Sequence, residues 1–431
     1  MSNTVEQSLP INGTHKAANL KRYLQFALLL VAAGAIYPLL YLRQNFETTI
    51  LKAFSLTSGE LGMFYSTLGV VYAVTYLPSG WLADRVSPRL LIAFSLAAVG
   101  ALGLWFSTFP SHGALQVIFI GWGLAAGLTF WASLIKGVKM LAAHDEQGRF
   151  FGILDGGRGL VEAVLATCAI SLFAWLLQSG AAPALALQRV IYMYSFSCIA
   201  IGVLAFLLLD GGNGTQEAHS GEQHGSSLWQ DLKILLAIPQ IWLMALIIFC
   251  GYQLFWATYS FSAYLQDNFG MTAVAAGVIT VTKLWMRPVG GVGAGFLGDR
   301  FSKETVLAAS LLFASCSLLA LALFPSSSSL YLLLGLVLLI GVLTYAIRGL
   351  YWSILDDCRV PARVTGLAIG IISMIGYLPD IFLPMINAGI AQHFPGVLGT
   401  QIYFGYIAAC GLLGAAVAFH FKQSVRKLEN K

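Results

Sequence analysis

The chain is 431 residues long, 58% hydrophobic and only 10% charged, with a formal net charge of +5. Soluble domains carry about 25% charged residues, so folding alone cannot hide this much apolar surface, and the lipid bilayer has to be part of the solvent. The modest positive charge gives no nucleic-acid footprint and matters only through its placement.

The first 22 residues are polar, so no cleavable signal peptide is expected ahead of the first apolar run. A helix needs about 20 mainly apolar residues to cross the hydrocarbon. The first half offers such runs at 23–47, 60–82, 90–108, 113–135, 150–178 and 187–209. The second half offers them at 239–266, 271–297, 305–324, 329–355, 364–392 and 399–421. The connector 210–238 is rich in Gly, Ser and Gln in its main part and reads as a flexible cytoplasmic linker. The expected division is a tail (1–22), a six-helix bundle (23–209), the connector, a second bundle (239–421) and a short tail (422–431).

Placing both termini in the cytoplasm puts 17 of the 24 basic residues in cytoplasmic segments and leaves only Lys52 and Arg189 in outside loops. That bias sets the expected orientation in the plasma membrane, the inner membrane of a bacterium. Two Asn-x-Thr triplets, at Asn12 and Asn213, then lie inside and are not glycosylation acceptors. The six cysteines, Cys168, Cys198, Cys250, Cys316, Cys358 and Cys410, follow no paired spacing and read as small apolar side chains. No metal or cofactor site is expected. Gly293, Gly295 and Gly298 match a dinucleotide fingerprint, but no strand precedes them, and close helix packing is the better reading. Gly123/Gly127 and Gly366/Gly370 read the same way.

Two hairpins repeat. Gly80-Trp-Leu-Ala-Asp84-Arg85 with Arg89 stands between spans 2 and 3, and Gly295-Phe-Leu-Gly-Asp299-Arg300 with Lys303 between spans 8 and 9. Trp131-Ala-Ser-Leu, before the loop joining spans 4 and 5, is echoed by Trp352-Ser-Ile-Leu, before the loop joining spans 10 and 11. Over about residues 20–425 this pattern resembles the major facilitator superfamily. The resemblance implies an all-α membrane protein, twelve transmembrane helices in two pseudo-symmetric six-helix bundles, rocking about a central site. It also implies that Asp84, Arg85 and Arg89, with Asp299 and Arg300 as their partial repeat, close the cytoplasmic gate in the outward-facing state. The alternative is that Arg85 and Arg89 only mark topology.

Tyr41-Leu-Arg43-Gln-Asn-Phe46, Thr57-Ser-Gly-Glu60-Leu-Gly62 and Ser87-Pro-Arg89 are similar to the organophosphate:phosphate antiporters. That likeness points to Arg43 as an anion ligand. The other basic positions of that pattern hold Tyr76 and Leu254 here, and its helix 5 His is absent, so organophosphate exchange is not implied. Asp155-Gly-Gly-Arg158-Gly resembles bacterial permeases of the YihN type, which adds no substrate.

An ionisable group inside a span costs about 2.5–3.5 kcal/mol on insertion scales, so each needs a reason. Span 5 carries Asp155, Arg158 and Glu162 on one face, where they can pair. Span 8 carries Lys283 and Arg287 one turn apart, like charges that require a nearby anion, from another helix or from the substrate. Arg348 lies in span 10, Asp380 in span 11, and Arg43 with Glu47 at the outer end of span 1. The bases suit an organic anion, the alternative being internal ion pairs. Glu162 or Asp380 is the candidate for a coupling proton. Tyr76, Tyr252, Gln253, Trp256 and Tyr377 are candidate ligand contacts of second rank.

The expected function is secondary transport of a small organic anion by alternating access, coupled to protons, by a monomer. The rivals are a proton-antiport exporter of drugs or metabolites and a non-transporting sensor. An enzyme is disfavoured, because no Ser/His/Asp or metal-ligand cluster gathers at an interface.

Overall fold

The computed structural model describes residues 11–141, 147–210, 233–324, 329–361 and 365–429, apart from a few helix side chains that include Asp84 and Asp299. Among these residues the backbone is nearly all helical and holds no strand. Helices answer the demand of hydrocarbon, because each satisfies its own N–H and C=O groups where water cannot.

Span 1 is Ile11–Leu40 continued by Arg43–Ala53, and span 2 is Ser58–Arg85. Span 3 is Pro88–Phe106. Span 4 joins His112–Gly123, a π-helical stretch Leu124–Phe130 and Trp131–Leu141. Spans 5 and 6 are Gln147–Gln178 and Pro183–Leu208. Span 7 joins Pro239–Ala257, a tight turn Thr258–Ser260 and Phe261–Phe269, and span 8 is Ala273–Leu284 followed by Met286–Phe301. Spans 9 and 10 are Lys303–Ala322 and Leu330–Leu350. Span 11 is Thr365–Gly376 followed by Pro379–His393, and span 12 is Val397–Glu429. Ten of these twelve are long and apolar enough to cross a membrane, and span 2 and the broken span 8 complete the set. Twelve crossings put both termini at one end, called here the tail end. The opposite side is the far end.

Local chemistry accounts for starts and breaks. Span 2 begins with a capping box: the Thr57 hydroxyl accepts from the Glu60 N–H, and the Glu60 carboxylate accepts from the Thr57 N–H. Spans 3, 6 and 7 begin with a proline in the first turn, where its missing N–H costs nothing. Span 8 breaks at Trp285 because Pro288 clashes with the carbonyl four residues back, that of Leu284, where the first segment ends. Pro379 breaks span 11 after Gly376 in the same way.

Span 1 continues to Ala53, beyond its expected end at residue 47. Arg43 and Glu47 are therefore buried within the bundle rather than perched at a helix end. The expected packing at the glycine pairs divides. Gly123 and Gly127 pack closely on Val71, Tyr72 and Thr75 of span 2. Gly293 and Gly295 face open space, and close approach in span 8 falls instead at Gly290, against span 10. Gly370 also faces open space, and the Gly366 side-chain position lies outside the described residues. Cys198, Cys250 and Cys358 are buried, while Cys168 and Cys316 are exposed on the bundle surface.

Within each half, span 3 packs on span 6 and span 9 on span 12. The halves meet through spans 2 and 11 and through spans 5 and 8. Gly62 and Gly69 let span 2 approach span 11 so closely that a Cβ at either would collide with the backbone of Pro384 or Asp380. Large apolar side chains such as Phe94, Phe196, Phe296 and Phe313 point outward, as a lipid-facing surface requires.

Candidate functional site

Spans 5 and 8 place an ion-pair cluster at the boundary between the halves. The Arg287 guanidinium donates to Asp155 Oδ1 at 3.0 Å and to Glu162 Oε2 at 3.1 Å. Arg158 reaches the same Asp155 oxygen at 3.1 Å and lies 5.5 Å from the Trp131 ring centre. The anion that span 8 was expected to need is thus supplied by span 5, but to Arg287 alone. Sequence reasoning paired Glu162 with Arg158. The fold pairs it with Arg287, because spans 5 and 8 pack face to face.

Lys283 parts company with Arg287 at the break. Its side chain is fully buried, and its ammonium donates to the Thr258 hydroxyl at 2.9 Å in the tight turn of span 7. Among the described residues no carboxylate lies within 4 Å of it.

Asp380 stands just beyond the break in span 11. Its Oδ1 accepts from the Tyr252 hydroxyl at 2.8 Å and from the Trp256 indole at 2.6 Å. Tyr377 lies at the same break, and its hydroxyl contacts those of Tyr351 and the Trp352 indole, each at 3.2 Å. Arg348 lies over the Phe255 ring at 4.2 Å and beside Tyr252 at 5.8 Å. Its guanidinium has no hydrogen-bond or carboxylate partner among the described residues.

The other expected residues lie elsewhere. Arg43 pairs with Glu47 at 2.8 Å and stacks on Tyr65, away from the span 5 cluster. Gln253 is fully buried and donates to the Phe249 carbonyl of its own helix, so it does not face the boundary. Tyr76, by contrast, stays at the boundary on span 2, half-buried, and pairs with the Tyr72 ring at 6.4 Å. At the tail end, Arg89 lies over Phe206, Arg300 lies over Phe301, and Arg85 is exposed. The side chains of Asp84 and Asp299 lie outside the described residues.

The boundary charges differ in exposure: Asp155, nearest the tail end, is the most exposed, and Arg158, one turn further in, is 11% exposed. The Asp155 side chain is 48% exposed, Glu162 20% and Arg287 8%. Beyond them the boundary is closed. Tyr41 stacks on Tyr259 at 5.2 Å, with their planes 12° apart. Nearer the far end, Thr280 donates to Asn45 Oδ1 at 2.9 Å, Ser262 donates to the Asn45 carbonyl at 3.1 Å, and Thr48 bonds Gln266 at 2.7 Å. The boundary thus carries its ion pairs on the tail-end side and aromatic and neutral polar contacts toward the far end. Sequence reasoning gave no role to Thr258, Asn45, Thr280 or Phe255. Only the fold brings them together, since none is charged or part of a repeated motif.

Comparison with known proteins agrees with this architecture. The sequence model of the Major Facilitator Superfamily matches residues 23–384. The chain is 27% identical over 402 residues to the inner membrane protein YihN of Escherichia coli K12, covering 92% of this chain and 94% of that one. It is 29% identical over 412 residues to the inner membrane protein YqcE of the same organism, covering 93% and 94%. It is 24% identical over 395 residues to the probable galactarate/D-glucarate transporter GudP of Bacillus subtilis, covering 83% of each. Among solved structures, a bacterial homolog of the human lysosomal transporter Spinster, inward-facing and unoccupied, superposes with a TM-score of 0.73 at 16% identity, covering 94% of this chain and 98% of that one.

Proposed function

The chain belongs to the Major Facilitator Superfamily, and within that family of membrane transporters we propose that it moves a small organic anion by alternating access, coupled to protons. The observation that carries this reading is the charge inventory of the cleft. Three bases, Arg158, Arg287 and Arg348, stand against three acids, Asp155, Glu162 and Asp380, and Lys283 is buried away from them. Arg287 uses two of those acids, and Arg348 has no acidic partner among the described residues. A guanidinium with no carboxylate bonded to it keeps donors to offer an anionic guest. A relative named for two sugar acids, galactarate and D-glucarate, agrees with that class.

The half-exposed Asp155, on the tail side of the Tyr41–Tyr259 contact, supports a state open at the tail end. With the basic residues concentrated there, the positive-inside rule makes it the cytoplasmic side and places both termini in the cytoplasm. The membrane is the inner membrane, as for the relatives so named, and the working unit is a monomer. Opening the far end requires the Tyr41–Tyr259 stack and the Asn45 bonds to part while spans 5 and 8 draw together.

Glu162 or Asp380 carries the coupling proton in this reading. Protonating Glu162 would release one arm of Arg287. A proton on Asp380 Oδ2 would leave both bonds to Oδ1 in place, so that residue can gain or lose charge without losing its position. The test is uptake of labelled organic acids into proteoliposomes under an imposed pH gradient. Uptake driven by the gradient, lost in Glu162→Gln or Asp380→Asn, is the expected result. If both variants keep it, the proton assignment fails. If only cations or neutral drugs are moved, the exporter reading replaces the anion reading.

A further inference from the structure

We infer that the cargo is a monocarboxylate bearing several hydroxyl groups, anchored by Arg348 and held in a ring of tyrosine hydroxyls. This rests on the anion reading above and narrows it. Tyr37, Tyr41, Tyr72 and Tyr76 from the first half and Tyr259 from the second surround the cleft. None of their hydroxyls has a hydrogen-bond partner among the described residues. Tyr37, Tyr41 and Tyr259 are in ring contact at 6.5 and 5.2 Å, and Trp256, which packs on Tyr41 and Tyr259, donates to Asp380. Tyr72 and Tyr76 pair at 6.4 Å on span 2, which Gly69 brings against the Asp380 backbone. They therefore belong to one place, and Tyr72 and Tyr259 are more than nine-tenths buried.

Buried hydroxyls are almost always paired, because an unpaired one forfeits its hydration. The Tyr72 hydroxyl is buried with no partner, and the other four, also without protein partners, keep access to solvent, so together they are a donor and acceptor set open to a guest. Their aromatic faces offer flat apolar walls to C–H groups, while their hydroxyls offer polar tips. A cargo with alternating C–H and O–H groups satisfies both, and an unsubstituted fatty acid or a lipophilic ion would leave the hydroxyls unpaired.

The charge limit follows from the same geometry. Arg158 and Arg287 are already engaged by Asp155 and Glu162, and Lys283 is sealed from the cleft. Arg348 is the base of this group that no carboxylate contacts among the described residues, and its planar fork fits one carboxylate. Asp380 sits in the same ring and opposes a second. The site therefore favours a singly charged acid over a dicarboxylate.

The experiment is calorimetric titration of the purified full-length protein with D-gluconate, D-glucarate, hexanoate and D-glucitol, using wild type, Arg348→Gln, Tyr37→Phe and Tyr76→Phe. D-Gluconate should bind at least about tenfold more tightly than the other three. Arg348→Gln should weaken it about tenfold to a hundredfold, and each Tyr→Phe about threefold to tenfold, the ranges for a charged and a neutral hydrogen bond. The Tyr→Phe variants keep the ring's packing, so unchanged melting without ligand separates a lost contact from a lost fold. Hexanoate binding as tightly as D-gluconate, with the same loss in Arg348→Gln, would overturn the hydroxyl ring and leave the anion reading standing. D-Gluconate binding unchanged in Arg348→Gln would overturn the anchor alone. D-Glucitol binding as tightly as D-gluconate would overturn both the inference and the anion reading, and no binding of D-gluconate would overturn the inference.

Discussion

Tyr41 and Tyr259 face each other at 5.2 Å across the boundary of the two halves, nearly parallel. Each sits where its helix is interrupted, Tyr41 at the gap between Leu40 and Arg43, and Tyr259 within the turn Thr258–Ser260. Trp256 closes edge-on against both, at 6.2 Å and 4.9 Å. Such pairs contribute about 0.5–1.5 kcal/mol beyond the area they bury. Tyr41→Ala should therefore shift the protein away from this state by about twofold to tenfold. Tyr41→Phe, which keeps the stack, should not shift it. Maleimide labelling of a cysteine placed just beyond the stack, on the far-end side, reads that population. Equal labelling in the Ala and Phe variants would show that the stack does not hold the boundary.

Arg287 is shared unequally by its two acids. Glu162 is the more buried partner, and Asp155 is half-exposed, where screening by water weakens an ion pair. Glu162→Gln should thus lower thermal stability more than Asp155→Asn, by about 1–2 kcal/mol against less than about 1 kcal/mol. Arg287→Gln should be worse than either, because it leaves Glu162 without an ion-pair partner and Asp155 with Arg158 alone. Adding Glu162→Gln to Arg287→Gln should recover part of that loss. A double-mutant cycle on melting in detergent measures the coupling, and strict additivity would mean the contact has no energetic weight.

Much of this was legible in the sequence, for physical reasons that differ by feature. Spans of about 20 apolar residues are dictated by bilayer thickness, so their number could be read directly. Their ends could not. Span 1 runs on through Arg43 and Glu47 because the two charges neutralise each other inside the bundle, and a window that penalises charge stops there. Arg287 and Glu162 were both legible as costly groups needing partners. That they partner each other depends on which faces of spans 5 and 8 meet, which no single-helix pattern encodes. The break between Lys283 and Arg287 was available in principle from Pro288, but an i, i+4 reading assumes an unbroken helix. The Asn45 contacts with Thr280 and Ser262 had no sequence signal, because uncharged polar residues are ordinary within a span.

Lys283 is retained at a place where an apolar chain of similar volume would fit. Gly341 of span 10 lies so close that a Cβ there would come within 2.6 Å of the lysine Cγ. Its one hydrogen-bond partner, Thr258, already donates its own proton to the Phe255 carbonyl. Burying a polar group with few partners costs about 1–3 kcal/mol relative to an apolar one. Lys283→Met is therefore expected to melt at the wild-type temperature or a few degrees above it. Uptake measured on the same preparation then tells whether the lysine serves the transport cycle. A drop of several degrees would mean instead that the Lys283–Thr258 bond is a needed tie between spans 7 and 8.

The far-end closure is made of neutral hydrogen bonds, whereas the contact nearest the tail end is made of charges. Asn45 receives Thr280 on its side chain and Ser262 on its backbone, while Thr48 bonds Gln266. Each such bond contributes about 0.5–1.5 kcal/mol net. A two-state protein shifts its populations by about tenfold for each 1.4 kcal/mol. Thr280→Val keeps the shape and removes the bond to Asn45 Oδ1. It should favour opening at the far end by about twofold to tenfold, and adding Gln266→Ala should shift it further. Added salt should leave that effect unchanged, since no charge is involved, while it weakens the half-exposed Asp155–Arg287 contact. Spin labels at Ser111 and His393, exposed at the far end of the two halves, report the opening as a longer distance. A distance distribution indifferent to Thr280→Val would place the energetic closure at the Tyr41–Tyr259 stack alone.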